Sequence, residues 1–96
     1  MSKTIYRPEH EILRRLLLDY RQAAGLTQAQ CSKALNRPQS YMSDVEQGSR
    51  RLDLVQLRDL CAVLGVTLVE LVSEFETRWA SEGNPGALVE TPSGAT

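Results

Sequence analysis

The sequence contains little of what catalysis and metal binding usually require. It has one histidine, His10, and its two cysteines, Cys31 and Cys61, lie thirty residues apart with no CxxC spacing. A zinc site therefore has no plausible ligand set. A lone histidine, no paired carboxylates and no glycine-rich phosphate loop leave nothing for general acid–base or phosphoryl chemistry. We expect no catalytic residue, no cofactor and no metal, and the protein is predicted not to be an enzyme.

Long apolar segments are also missing from the chain. No run approaches the roughly eighteen residues that a membrane span requires. The amino terminus, MSKTIYRPEHE, lacks the apolar stretch of a secretory signal. These features predict a cytoplasmic protein that does not associate with membranes.

The charge is nearly balanced overall but unevenly distributed. The net charge of −1 and the pI of about 5.8 do not by themselves suggest a nucleic-acid-binding protein. Residues 1–69, however, carry ten Lys and Arg against seven Asp and Glu, a net charge of +3, whereas residues 70–96 carry one Arg against five Glu, a net charge of −4. This distribution is compatible with phosphate binding on one face and with either a second partner or only water at the other.

Helix start and stop signals recur at regular intervals. Thr27, Asp53 and Thr67 are each followed three residues later by Gln or Glu, which is the capping-box pattern of a helix start. Glycine follows several predicted helices, and Asn36 tolerates the left-handed backbone of a sharp turn. The predicted helices run from Pro8 to about Ala24, from Thr27 to about Leu35, from Pro38 to Gln47, from Asp53 to Leu64 and from Thr67 through Trp79.

Apolar side chains recur at three- and four-residue spacings within these helices, and each stripe is expected to face a common core. The fold predicted is all-α, a five-helix bundle with an extended fifth helix. We divide the chain into an amino-terminal arm (1–7), the helical domain (8–80) and a flexible carboxyl-terminal tail (81–96), which is rich in Gly, Pro, Ser and Thr. The predicted core comprises Ile12, Leu13, Leu16, Leu17, Tyr20, Cys31, Pro38, Met42, Val45, Leu54, Leu57, Leu60, Cys61, Leu64, Leu68, Leu71, Val72, Phe75 and Trp79.

The third predicted helix has an outward face made of short polar groups. Met42 and Val45 point inward, while Gln39, Ser40, Ser43, Asp44 and Gln47 occupy the opposite side. Surface helices are usually stabilised by Lys and Glu pairs instead. Hydrogen-bonding side chains that are short enough to enter the major groove can read the donor and acceptor pattern of base pairs. This face therefore favours base recognition.

The run RQAAGLTQAQCSKALNRPQSYMSDVEQGSRRLDLVQLRDLCAVLGVTLVEL, residues 21–71, resembles the helix-turn-helix domain of lambda repressor/Cro-type (XRE) transcriptional regulators. The similarity covers about half of the chain in one register. It implies a five-helix domain that binds operator DNA, usually as a dimer. In this family the turn usually holds glycine, where this chain has Asn36, and a Ser or Thr cap, where it has Pro38.

The resemblance also implies roles for individual residues. Arg21 and Glu46 match a pair that forms an ion pair between the first and third helices, while Arg14 and Arg15 are expected only to flank the apolar face of the first helix. The positions that match base-reading residues are Gln39, Ser40, Ser43 and Asp44. The positions expected to contact phosphates are Gln28, Lys33, Arg37, Tyr41, Arg50 and Arg51.

Several of these residues have simpler interpretations. Arg50 and Arg51 are also typical of a solvated surface pair, and Tyr41 is also typical of a packing residue. Phe75 and Trp79 either cover the core or meet a second chain. We favour a dimer contact for them, because two recognition helices on a two-fold operator must be held at a fixed separation.

The sequence thus predicts a sequence-specific regulator of transcription, acting as a dimeric repressor at a two-fold operator on double-stranded DNA. The alternative is an antitoxin-like or phage-derived DNA-binding protein. In that case the acidic carboxyl-terminal end would bind a partner protein.

Overall fold

The computed structural model describes residues 7–83, and all regular secondary structure within this range is helical. Five α-helices are followed by a short π-helical turn, and the predicted all-α five-helix architecture is confirmed. Most of the predicted arm and the part of the predicted tail after residue 83 lie outside the described residues. The helices are α1 (Pro8–Ala23), α2 (Gln28–Ala34), α3 (Tyr41–Gln47), α4 (Leu54–Leu64) and α5 (Leu68–Arg78), and the π-helical turn is Trp79–Gly83.

The predicted helix starts at α2, α4 and α5 are confirmed. Thr27, Asp53 and Thr67 each accept a hydrogen bond from the backbone N–H three residues later, and the Gln or Glu there accepts one from the capping residue. Each box satisfies two N–H groups that have no partner within the helix. Asn36 has a φ of 59°, so the left-handed turn predicted between α2 and α3 is present.

The start of α3 differs from the prediction. Pro38 is exposed rather than part of the core, and α3 begins at Tyr41 instead of Pro38. A turn precedes it, in which the Tyr41 N–H donates to the Pro38 carbonyl at 2.9 Å. Gln39 and Ser40 consequently lie in this turn, before the first residue of α3.

The core lies where α1 packs against α3 and α5, and where α2 packs against α3 and α4. Leu16, Cys31, Met42 and Leu60 are completely buried there. Cys61 is also buried, which confirms the prediction that both cysteines belong to the core. Burial raises the pKa of both thiols, so each favours its neutral form.

Besides Pro38, two predicted core residues are exposed. Leu54, at the start of α4, is 63% exposed, and Val72, on α5, is 46% exposed. Val55 and Val69 beside them are exposed as well. The apolar stripes of α4 and α5 are wider than the area that the other helices cover, so their edges remain on the surface.

Candidate nucleic-acid interface

A polar surface is formed by the turn before α3 and by the outward side of α3. Gln39 and Ser40 project from the turn and are exposed, as is Gln47 near the end of the helix. Ser43 and Asp44 are half-buried between them. The Gln47 side-chain amide donates to the Ser43 hydroxyl at 3.0 Å, which orders two of these groups relative to each other. The five residues predicted for the outward face therefore share one surface.

An open cleft of about 520 Å³ separates the amino-terminal ends of α2 and α3. Its walls bring Gln28 close to three residues of the polar surface, namely Gln39, Ser40 and Ser43, together with Thr27 and Ala29. The helix-turn-helix geometry thus places the predicted phosphate contact at Gln28 beside the predicted base-reading positions.

Ser32 of α2 fixes the entry to α3. It is fully buried, and its hydroxyl oxygen accepts from the Met42 N–H at 3.0 Å while the hydroxyl donates to the Gln39 carbonyl at 3.3 Å. The Ser40 side chain makes no capping bond, and Pro38 has no side-chain group to cap with. Ser32, ten positions before Met42, therefore serves as the cap that no residue next to α3 provides. Local residue spacing within α3 does not reveal this role, because the capping group belongs to α2.

The ion pair predicted between α1 and α3 is present. Arg21 Nε donates to Glu46 Oε2 at 2.6 Å, and Arg21 Nη2 donates to Glu46 Oε1 at 3.1 Å. The two side chains are only 11% and 7% exposed. The hydrogen bond to Glu46 raises the pKa of Arg21, so the guanidinium stays charged. The third nitrogen of this guanidinium, Nη1, donates to the Leu26 carbonyl at 2.8 Å, which also connects the pair to the loop before α2.

Gln28 belongs to the same network. Its Nε2 donates to Glu46 Oε1 at 2.7 Å, so one hydrogen of the amide is engaged inside the protein. A side-chain amide carries two such hydrogens, which leaves the other for an external acceptor. The network therefore orients the side chain that was predicted to contact a phosphate.

Arg14 also holds α3, in contrast to the expectation that it only flanks α1. Its Nη1 donates to the backbone carbonyl of Glu46 at 2.7 Å, close to the carboxyl-terminal end of α3. Its other terminal nitrogen binds Glu11. Arg14 and Arg21 thus fasten α1 to α3 through the main chain and the side chain of one residue, Glu46.

Tyr41 is mostly buried, and its predicted phosphate contact stays a prediction. It is 5% exposed and belongs to the core, as the alternative packing interpretation holds. Two guanidinium groups approach its ring, with the Cζ of Arg37 at 5.3 Å and that of Arg50 at 5.2 Å from the centroid. These distances permit cation–π attraction. The ring of Tyr41 therefore attracts Arg37, which precedes α3, and Arg50, which follows it.

The other predicted phosphate contacts are exposed. Lys33 projects from α2, and Arg51 lies beside Arg50 in the loop after α3. Together with Arg37, these exposed cations lie on α2, before the turn that enters α3, and in the loop after α3. A long exposed cation at the edge of a helix-turn-helix is well placed for backbone phosphates.

Phe75 and Trp79 are each only half-buried, and Phe75 packs against the core. Trp79 lies in the π-helical turn, which contacts α1. Nearby, Arg78 binds Asp19 of α1 at 2.9 Å and Glu74 at 3.1 Å, so this end of α5 is tied down. For Phe75 the position matches the core-covering alternative more closely than the dimer contact that we favoured.

Comparison with known proteins agrees with this geometry. Residues 12–75 match the model of a helix-turn-helix domain family. The chain is 34% identical over 56 residues to the control protein C.MunI of a Mycoplasma species, a match that covers 58% of this chain and 76% of that protein. Residues 12–75 include α2, α3 and the connecting turn. The class of protein is therefore a helix-turn-helix regulator.

Solved structures make the family more specific. An XRE-family-like protein from Pseudomonas syringae pv. tomato str. DC3000 superposes with a TM-score of 0.69 at 38% identity, covering 73% of this chain and 85% of that one. The clp gene regulator ClgR from Corynebacterium glutamicum shares the fold, with a TM-score of 0.70 at 22% identity over 84% of this chain and 86% of that one. The chain belongs to the XRE family of helix-turn-helix DNA-binding regulators of transcription, and it is not an enzyme.

Two further properties concern only residues 7–83. None of the helices there combines the length and the apolar character that crossing a membrane requires. In the same range, no three His, Cys, Asp or Glu side chains are grouped so that they could hold a metal ion.

Proposed function

We propose that this chain regulates transcription in the cytoplasm by binding a specific operator, with the outward face of α3 inserted in the major groove. The observation that carries the proposal is the division of α3 into two sides. Met42 and Val45 are buried, while Gln47 on α3 and both Gln39 and Ser40 in the turn before it are exposed. A helix anchored in this way presents donors and acceptors without losing core packing.

The base-reading roles differ among the polar residues. Gln39 and Ser40 lie at the amino-terminal end of α3, where recognition helices approach base edges. A glutamine amide matches the N6 and N7 groups of adenine with two hydrogen bonds, and a carboxylate such as Asp44 accepts from cytosine N4. Ser43 suits either a donor or an acceptor.

The proposed phosphate contacts supply affinity rather than sequence preference. Arg37, Arg50, Arg51 and Lys33 are exposed cations, and the amide of Gln28 is oriented by Glu46. Phosphate contacts position a protein on the duplex without reading its sequence. Tyr41 contributes by holding two of the arginines rather than by its own contact.

We also propose that the functional form is a homodimer that represses at a two-fold operator. Half-sites about 34–36 Å apart require two copies of α3 at a fixed separation. The exposed aliphatic side chains of Leu54, Val55, Val69 and Val72 on α4 and α5 supply apolar surface for a second copy. We place the dimer contact there. Phe75 instead packs α5 against the core, and Trp79 lies in the π-helical turn that contacts α1.

A partner protein at the carboxyl-terminal end is the second candidate function, as in an antitoxin-like regulator. The observation that favours it is the combination of exposed Val69 and Val72 with the surrounding acidic side chains of Glu70 and Glu76 on α5. A neighbouring reading frame whose product binds α5 and leaves α3 exposed would favour this function. Light scattering of this chain alone separates the two, because only a homodimer doubles the mass without a second protein.

Selection of bound sequences from a random DNA pool tests the proposal most broadly. We expect an enriched motif with two related half-sites one helical turn apart. A single half-site would contradict the dimer, and the absence of any enriched sequence would contradict base recognition. Light scattering of Val69→Lys, with Glu76→Lys as a control on the same helix, should show monomers only for the first variant.

A further inference from the structure

A cavity of about 300 Å³ lies at the carboxyl-terminal end of α3, between α1 and the loop that follows Gln47. Its inner wall is aliphatic, formed by Leu13, Leu17, Val45 and Leu52. This volume is at the lower end of the range found for small-molecule sites. The cavity shares Gln47 with the polar surface and shares none of the exposed aliphatic residues of α4 and α5.

Positive charge surrounds the opening of this cavity. Four arginines line it, Arg7, Arg14, Arg50 and Arg51, against one lining carboxylate, Glu11; Arg14 is bound to Glu11, and Arg7 is bound to Glu9 outside the lining. His10 lies on the same rim, and its pKa is lowered by burial and by the positive charges of Arg51 and Arg7. Cations around an apolar cavity are complementary to a ligand with an apolar body and an anionic end.

We propose that this cavity binds a small amphipathic carboxylate, with its hydrocarbon or aromatic part against the leucines and its carboxylate at the arginine rim. A carboxylate accepts paired hydrogen bonds from guanidinium groups, which a neutral or cationic analogue cannot do. The site is therefore selective for charge as well as for size.

The cavity is also coupled to the candidate interface. Arg14, which lines the cavity, donates to the Glu46 carbonyl at 2.7 Å. Arg14 also packs closely against Gly48 at the end of α3, where an added Cβ would lie 3.0 Å from Arg14 Cδ and Nε. Arg50 and Arg51 are proposed phosphate contacts. A bound carboxylate neutralises these arginines and competes with Glu46 for Arg14, so it should weaken DNA binding; this step rests on the proposed function.

The site is tested first without DNA, so its failure is distinguishable from failure of the proposed function. The full chain, labelled with ¹⁵N, is titrated to about 10 mM with 4-phenylbutanoate, with 4-phenylbutan-1-ol and 4-phenylbutylamine as controls of equal shape. We expect saturable shifts centred on Leu13, Val45 and Leu52, and at least about tenfold weaker binding of both controls. Equal binding of all three compounds, or no saturation near these residues, would overturn the proposal.

A matched pair of charge variants sharpens the test. Arg51→Gln removes a positive charge from the lining of the cavity. Arg15→Gln removes an exposed positive charge from a different part of α1, near Asp19 and Arg78. We expect about threefold weaker binding of 4-phenylbutanoate to the first and unchanged binding to the second. Equal affinities would count against the arginine rim. Binding that appears only after Ile5 and Tyr6 are both changed to Ser would overturn the proposal in favour of the chain's own amino terminus.

Competition is then measured on a DNA sequence enriched from the random pool. Saturating 4-phenylbutanoate should reduce the affinity for this DNA at least about threefold, and the amine should not. Saturable binding to the DNA-free protein with unchanged DNA affinity would overturn the coupling to α3.

Discussion

The outward faces of α3 and of α4 with α5 are both exposed, yet they have opposite chemistry. On α3 and its preceding turn the exposed groups are amides and hydroxyls, and exposed cations lie in the segments before and after them along the chain. On α4 and α5 the exposed groups include Leu54, Val55, Val69 and Val72. Polar groups beside cations suit a hydrated, phosphate-rich duplex, while aliphatic groups suit another protein surface. The difference supports the proposal that DNA recognition and self-association use separate surfaces of one small domain.

The largest expected effect concerns the buried ion pair that supports the polar face. Glu46→Gln leaves the Arg21 guanidinium buried without its countercharge, and we expect a loss of about 3–5 kcal/mol in the free energy of unfolding. Urea denaturation measures it. Glu76→Gln, on the exposed side of α5, is the control and should change stability little. If both variants lose the same small amount, α3 is not held by this pair.

A smaller effect is expected at the contact between α2 and the start of α3. Ser32→Ala removes the acceptor of the Met42 N–H and leaves that group buried, at a cost of about 1–3 kcal/mol. Hydrogen exchange of the Met42 amide should accelerate at the same time. Ser73→Ala on the exposed side of α5 serves as the control. Unchanged protection of Met42 would show that the capping bond from α2 does not hold the turn.

The cations beside the polar face should act on all DNA sequences alike. Arg51→Gln should weaken binding to enriched and random DNA by similar factors and reduce the slope of log affinity against log salt by about one unit. Arg15→Gln on α1 is the matched control and should leave the slope unchanged. An effect of Arg51→Gln on only one sequence would indicate base contact instead.

Local sequence signals predicted most of the helix boundaries, because they depend on neighbouring residues. The capping boxes at Thr27, Asp53 and Thr67 involve groups three residues apart, and all three are present. The predicted start of α3 at Pro38 was wrong, because the group that caps the helix, Ser32, comes from α2. Local spacing contains no information about such a contact.

The extent of burial was predicted less well than periodicity. Leu54 and Val72 have helical spacing with core residues, but periodicity does not tell how much of a stripe other helices cover. The role of Arg14 was missed for a related reason, since its partner is a backbone carbonyl 32 residues away. Of the predicted site, Arg21 and Glu46 are joined as expected, whereas Tyr41 is buried and organises its neighbours. The base-reading roles remain predictions.

The specificity ratio of Gln39→Ala tests the central claim most directly. Fluorescence anisotropy compares its affinities for the enriched operator and for random DNA, with Gln22→Ala on α1 as the control. We predict a loss of about 1–3 kcal/mol on the operator and little change on random DNA, because only the amide's contact with a base is removed. Equal losses on both DNAs would contradict base recognition by the polar face of α3.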